Sequence, residues 1–156
     1  VFYRVGMFEA FDEFFEEVFA RFEQPDSWRL FPETLAVLTA LKEQGFELGI
    51  ISNFDSRLFS VLRGLGIADL FDTVTISSLA HAAKPSARIF HQALEKHAVD
   101  PDEALHVGDS ERDDVKGAQG VGLTGVLLAR GEGARPSGGT TIGNLNELLP
   151  LLSRLQ

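Results

Sequence analysis

Ala104-Leu105-His106-Val107-Gly108-Asp109-Ser110-Glu111-Arg112-Asp113-Asp114 is the stretch on which the fold turns. A short apolar run, Ala104 to Val107, reads as a buried strand, and it stops at Gly108-Asp109. A helix is predicted from Asp113 to Gly120. A strand that ends on an acid and hands over to a helix is the unit from which α/β sheets build sites, because ligands of such sheets bind beyond the carboxyl ends of the strands.

The same alternation extends in both directions. Upstream, Glu47 to Ile51 reads as a strand ending in Ser52-Asn53, Arg57 to Leu65 as a helix stopped by Gly66, Asp72 to Ser77 as a strand, and Ala87 to His97 as a helix after Lys84-Pro85. Downstream, Gly125 to Ala129 is a fourth strand, Gly131 to Gly139 a Gly/Pro/Ser loop, and Leu145 to Leu155 a last helix beyond a short apolar segment near Ile142. Strands alternating with helices predict a parallel sheet joined by right-handed crossovers and covered on both faces, a Rossmann-like three-layer α/β/α fold. Ahead of it lie a helix from Pro32 to Gln44 and a Phe-rich amphipathic helix from Phe8 to Phe22, whose apolar side is expected to pack on neighbouring helices.

Composition narrows the function classes. The 156 residues hold 44% hydrophobic side chains, enough for one packed core. Their 14 Lys+Arg against 23 Asp+Glu give a net charge of −9, which opposes a nucleic-acid partner. No apolar run reaches the roughly 20 residues of a membrane helix. With no cysteine there is no disulfide, thiolate metal site or cysteine nucleophile, and a cytoplasmic location is the expectation. The chain opens on Val1, so the expectation is either that residues precede it or that Val1 is a non-standard start.

Four polar positions fall at predicted strand ends: Ser52 and Asn53, Lys84, and Asp109, with Asp113 and Asp114 one helical turn further on. Each has a plain reading as well. Ser52-Asn53 suits a helix cap, Lys84 a solvated loop, and the acids a helix N-terminus. Together, a hydroxyl, an ammonium and an oxygen-only acidic cluster describe a site for a magnesium-bound phosphate. His81, His91, His97 and His106 are scattered over different elements and predict surface or core roles rather than zinc.

At this point the residues resemble the haloacid dehalogenase-like (HAD) hydrolases. Leu48-Gly49-Ile50-Ile51-Ser52-Asn53 looks like the family's second motif, Lys84-Pro85 with Arg88-Ile89-Phe90 like the third, and His106-Val107-Gly108-Asp109-Ser110 with Asp113-Asp114-Val115 and Gly117-Ala118 like the fourth. The resemblance implies phosphate binding by Ser52, Asn53 and Lys84, with Ser52 and Lys84 also in catalysis. It further implies Mg²⁺ at Asp109 with Asp114 or Asp113, and a small phosphorylated metabolite as substrate. It implies that residues 1–31 are the end of a helical cap and 32–156 the α/β core.

The family's first motif, Asp-x-Asp after the central strand, has no counterpart here. Asp100-Pro101-Asp102 follows a helix end and is rejected as nucleophile. Without that central strand, the two strands flanking its place would either leave main-chain groups unpaired or close up. The expectation is a poorly stable chain, or one that takes a strand from a partner or a second copy. The alternatives are a non-catalytic phosphate- or partner-binding remnant and a 2-haloacid dehalogenase-type hydrolase. A phosphorelay receiver is excluded by motif order, since Lys84-Pro85 precedes Asp109.

Overall fold

The computed structural model describes residues 11–22, 24–131 and 139–154. The predicted helix start at Phe8, Glu23, most of the Gly131–Gly139 loop and Leu155 lie outside the described residues. Helices α1 (Phe11–Arg21) and α2 (Thr34–Glu43) lead into β1 (Gly49–Ser52), α3 (Arg57–Gly64), β2 (Thr73–Ile76), α4 (Ser77–Ala80) and α5 (Ala87–His97). Then come β3 (Leu105–Gly108), a π-helical turn over Glu111–Lys116 running into α6 (Gly117–Gln119), β4 (Thr124–Leu128), β5 (Thr140–Ile142) and α7 (Leu148–Leu152).

The three layers are set by two apolar clusters. Ile89, Phe90 and Leu94 of α5 pack with Ala118 and Leu123, while Val37 and Leu41 of α2 pack with Val126, Ile142 and Leu148. Phe90 and Ile89 are fully buried, and each such side chain contributes about 1.5–3 kcal/mol. The faces thus follow the apolar spacing of α2 and α5 along the chain.

All strand pairs are parallel, but the sheet is in two pieces, β1–β2 and β3–β4–β5. Of the two expected outcomes, unpaired edges are the one observed. Leu48 O accepts from Asp72 N at 2.8 Å, so residues of its parity face β2 and the main chain of Gly49 and Ile51 points away. Ala104 O accepts from Thr124 N at 3.1 Å, which by the same alternation turns the main chain of Leu105 and Val107 away from β4. β3 is accordingly half-exposed throughout, whereas β4, paired on both sides, buries Gly125, Val126 and Leu127.

Several expectations need correcting. The strand predicted to include Glu47 starts at Gly49, and Glu47 instead reaches His97. Ser77 leaves its predicted strand to open α4, which the sequence reading did not foresee. The helix predicted to begin at Asp113 is preceded by the π-helical turn, because the Ser110 hydroxyl caps Asp113 N at 3.0 Å and starts the coil at Glu111. Phe14, Phe15 and Phe19 of α1, with Phe22 just beyond it, are not buried: they are 41–47% exposed. α1 is joined to the core by Arg57, whose guanidinium lies 3.4 Å over the Phe19 ring, and by Trp28, edge-on between Phe22 and Phe54.

Candidate active site

At the open end of the sheet the Asp114 carboxylate is held by three partners. It is 3% exposed, and Oδ1 accepts from Lys84 Nζ at 2.6 Å and lies 3.0 Å from His106 Nε2. Oδ2 accepts from Ser110 N at 2.9 Å. A carboxylate only accepts, so His106 carries its proton on Nε2. The π-helical turn carries Asp114 back over β3, so close that a Cβ on residue 108 would overlap the Asp114 carboxyl. Gly108 is required there by contact, not by conformation.

Lys84 reaches the same point from the loop before α5. Its ammonium also donates to Ile51 O at 2.8 Å, so one side chain bridges the free edge of β1 to the acid packed on β3. The outer edge of β2 is covered in the same manner by Lys96, which donates to Val74 O at 2.8 Å.

The remaining candidates are arranged differently. Asp109, at the end of β3, is exposed, and its carboxylate makes no hydrogen bond or ion pair with a described residue. The Ser52 hydroxyl at the end of β1 likewise has no described partner. Asn53 bonds to the main chain of Lys84. Asp113 lies 3.9 Å from its neighbour Arg112. Lys84, Gly108, Asp109 and Asp114 line a cavity of about 770 Å³ that runs on beneath Arg29, Phe31 and Arg130. Asp100 and Asp102 are at the other end of β3, where the Glu103 carboxylate accepts from Asp100 N at 2.9 Å.

The three carboxylates of the expected cluster stand in different surroundings. Among the described residues no three His, Asp or Glu side chains gather as a cation cage. The charge of Asp114 is balanced by Lys84. Burial opposes its ionisation, but hydrogen bonds from His106, Lys84 and the Ser110 N–H outweigh that and hold its carboxyl well below the usual carboxylate range. Asp109 is left as the open oxygen ligand, and one or two carboxylates with water are what magnesium commonly uses. In that sense the donor set fits the ion. His106 is the site residue that sequence reasoning missed. Its position two residues before Gly108, facing a helix-borne acid, was the available signal.

The lowered Asp114 acidity predicts a pH dependence. A carboxylate whose folded pKa lies below its unfolded value stabilises the fold above the unfolded pKa, about 3.9, and loses that contribution as pH falls through the folded value. Urea midpoints measured from pH 6 to pH 2 are expected to hold level and then drop below about pH 4. The drop should be shallower in Asp114→Asn, and an unchanged slope there would put the acid sensitivity elsewhere.

Comparison with known proteins agrees with this geometry. A family model described as haloacid dehalogenase-like hydrolase matches residues 6–122. Haloacid dehalogenase-like hydrolase domain-containing protein 3 of Bos taurus is 35% identical over 147 residues, 90% of this chain and 59% of its own length. A glyceraldehyde 3-phosphate phosphatase of Methanothermobacter thermautotrophicus is 36% identical over 64% of this chain and 45% of its own length. Among solved structures, a HAD phosphatase from Thermococcus onnurineus superposes with a TM-score of 0.80 at 34% identity, covering 88% of this chain and 64% of that one. A 2-haloacid dehalogenase from Pseudomonas syringae gives 0.71 at 31% identity, over 82% and 55%. The chain thus spans between about half and two thirds of the length of these relatives. Among the described residues no helix is long and apolar enough to cross a membrane.

Proposed function

The chain belongs to the haloacid dehalogenase-like hydrolases, and from that premise we propose that it is the phosphate-handling portion of a magnesium-dependent phosphomonoesterase. The observation that carries the reading is the pairing, at the open ends of β1 and β3, of the buried Lys84–Asp114 ion pair with two side chains left without a described partner, Ser52 and Asp109. Lys84 presents an ammonium held in place by Ile51 O and Asp114, suited to a phosphate oxygen. Ser52 offers a hydroxyl donor, and Asn53 stands beside both. Asp109 would hold Mg²⁺, with Asp113 or Asp114 behind it. The ion supplies charge neutralisation to the phosphoryl group.

On this reading residues 1–31 end a cap and residues 32–156 form the core. The attacking carboxylate, which would form an aspartyl-phosphate, comes from a strand outside these 156 residues, so the chain alone is inactive. The substrate is a small phosphorylated metabolite, in line with the named activity of the Methanothermobacter relative. Likeness to a 2-haloacid dehalogenase supplies the competing reading; the exposed Asp109 carboxylate, an oxygen donor for a divalent cation that would offset phosphoryl charge, favours the phosphatase.

The test is titration of the chain with inorganic phosphate, followed by amide shifts at Ser52 and Lys84. Magnesium is expected to tighten binding about tenfold and Lys84→Ala to weaken it by a similar factor. Shifts that ignore both magnesium and Lys84→Ala would overturn the reading.

A further inference from the structure

Asn53 directly follows β1, and Lys84 lies 31 residues on, in the loop between α4 and α5. The Asn53 carboxamide grips the Lys84 main chain from both sides. Lys84 N donates to Oδ1 at 2.7 Å, and Nδ2 donates to Lys84 O at 3.0 Å. Donor meets acceptor twice, so the main chain itself dictates which way the amide points. The side chain does for Lys84 what a paired strand does for a β residue. The next residue, Pro85, has no N–H to offer, which leaves the loop with fewer ties of its own.

The far end of Lys84 is equally fixed, with Nζ on Ile51 O at 2.8 Å and on Asp114 Oδ1 at 2.6 Å. β1 therefore holds this lysine twice, by a carbonyl inside the strand and by the amide just beyond it. Of the side chains of this size only asparagine presents one donor and one acceptor in a plane. Aspartate would set an oxygen against the Lys84 carbonyl, and serine is a single short group. Among the described residues one Asn53 amide N–H has no partner, so a direct contact with an anion is the rival arrangement.

We propose that Asn53 is a positioning residue for Lys84 and acts on bound phosphate through that lysine rather than by touching it; the proposal rests on the phosphate-binding reading above. A double-mutant cycle separates the two arrangements. With inorganic phosphate as the probe and the whole chain as the protein, Asn53→Ala is expected to weaken binding about tenfold and Lys84→Ala at least as much. The double variant should then bind no more weakly than Lys84→Ala alone. A loss that persists undiminished in the Lys84→Ala background, as direct contact or a general structural role requires, overturns the proposal. So does unchanged affinity in Asn53→Ala. A wild-type chain that binds no phosphate, with or without magnesium, sinks the phosphatase reading instead, and amide exchange then decides for Asn53. Exchange of the Lys84 N–H is expected to quicken about tenfold in Asn53→Ala, by loss of the bond to Oδ1; an unchanged rate refutes positioning.

Discussion

Asp109→Ala, made in a chain that also carries the proposed Asp-x-Asp strand, is expected to lower kcat/KM for p-nitrophenyl phosphate in saturating magnesium by about a thousandfold or more, while leaving the thermal midpoint nearly where it was. The size follows from the transition-state charge that a bound divalent ion offsets, several kcal/mol, at about 1.4 kcal/mol per factor of ten. The stability expectation follows from the position of the side chain. Asp109 is exposed and bonded to no described residue, and substitutions at such sites usually change stability by less than about 0.5 kcal/mol. Asp114 cannot take over. Both of its oxygens are engaged, and freeing them would take from half-buried Lys84 the carboxylate that balances its charge and from His106 its acceptor. Hydrolysis that survives Asp109→Ala unchanged would remove the metal from the reading altogether.

The two acids differ in a way that spacing along the chain does not reveal. Asp113 and Asp114 are neighbours at the start of one coil, and either could have faced the sheet. The decision is made by Gly108, whose missing side chain lets one carboxylate settle on β3, and by the Ser110 cap, which winds the coil so that residue 114 is the one delivered. The strand ends carrying Ser52 and Asp109 were legible because an apolar run that stops on a polar residue has few other readings. The partners of Asn53 and His106 were not, because they are a main-chain segment 31 residues away and a side chain on the far side of a turn. The α/β class was legible too, from alternating strands and helices. The exposure of the α1 phenylalanines was not, since an amphipathic pattern states that one face is apolar without stating what covers it.

A strand supplied to the split sheet is expected to stabilise the chain more than any point substitution within it. The main chains of Gly49 and Ile51 on one side and of Leu105 and Val107 on the other point away from their own pairs, and among these groups only Ile51 O has a described partner, the Lys84 ammonium. β1 and β3 belong to sheets in which every pair is parallel, so an added strand running the same way suits the hydrogen-bonding pattern of either edge. A peptide of about eight β-branched residues ending in Asp-x-Asp, present at a hundredfold excess over its Kd, would add about 2.7 kcal/mol, or roughly 5–10 °C in a domain of this size. Its terminal acids would arrive beside Lys84, where an anion is favoured. The same peptide with proline at its centre removes a donor and blocks pairing, and it should leave the melting temperature unmoved. Amide exchange gives the residue-level reading: the Leu105 and Val107 N–H groups should exchange quickly in the chain alone and slow markedly when the first peptide is bound. Protection of those two amides before any peptide is added would mean that the edges are already closed, and the slot would not exist.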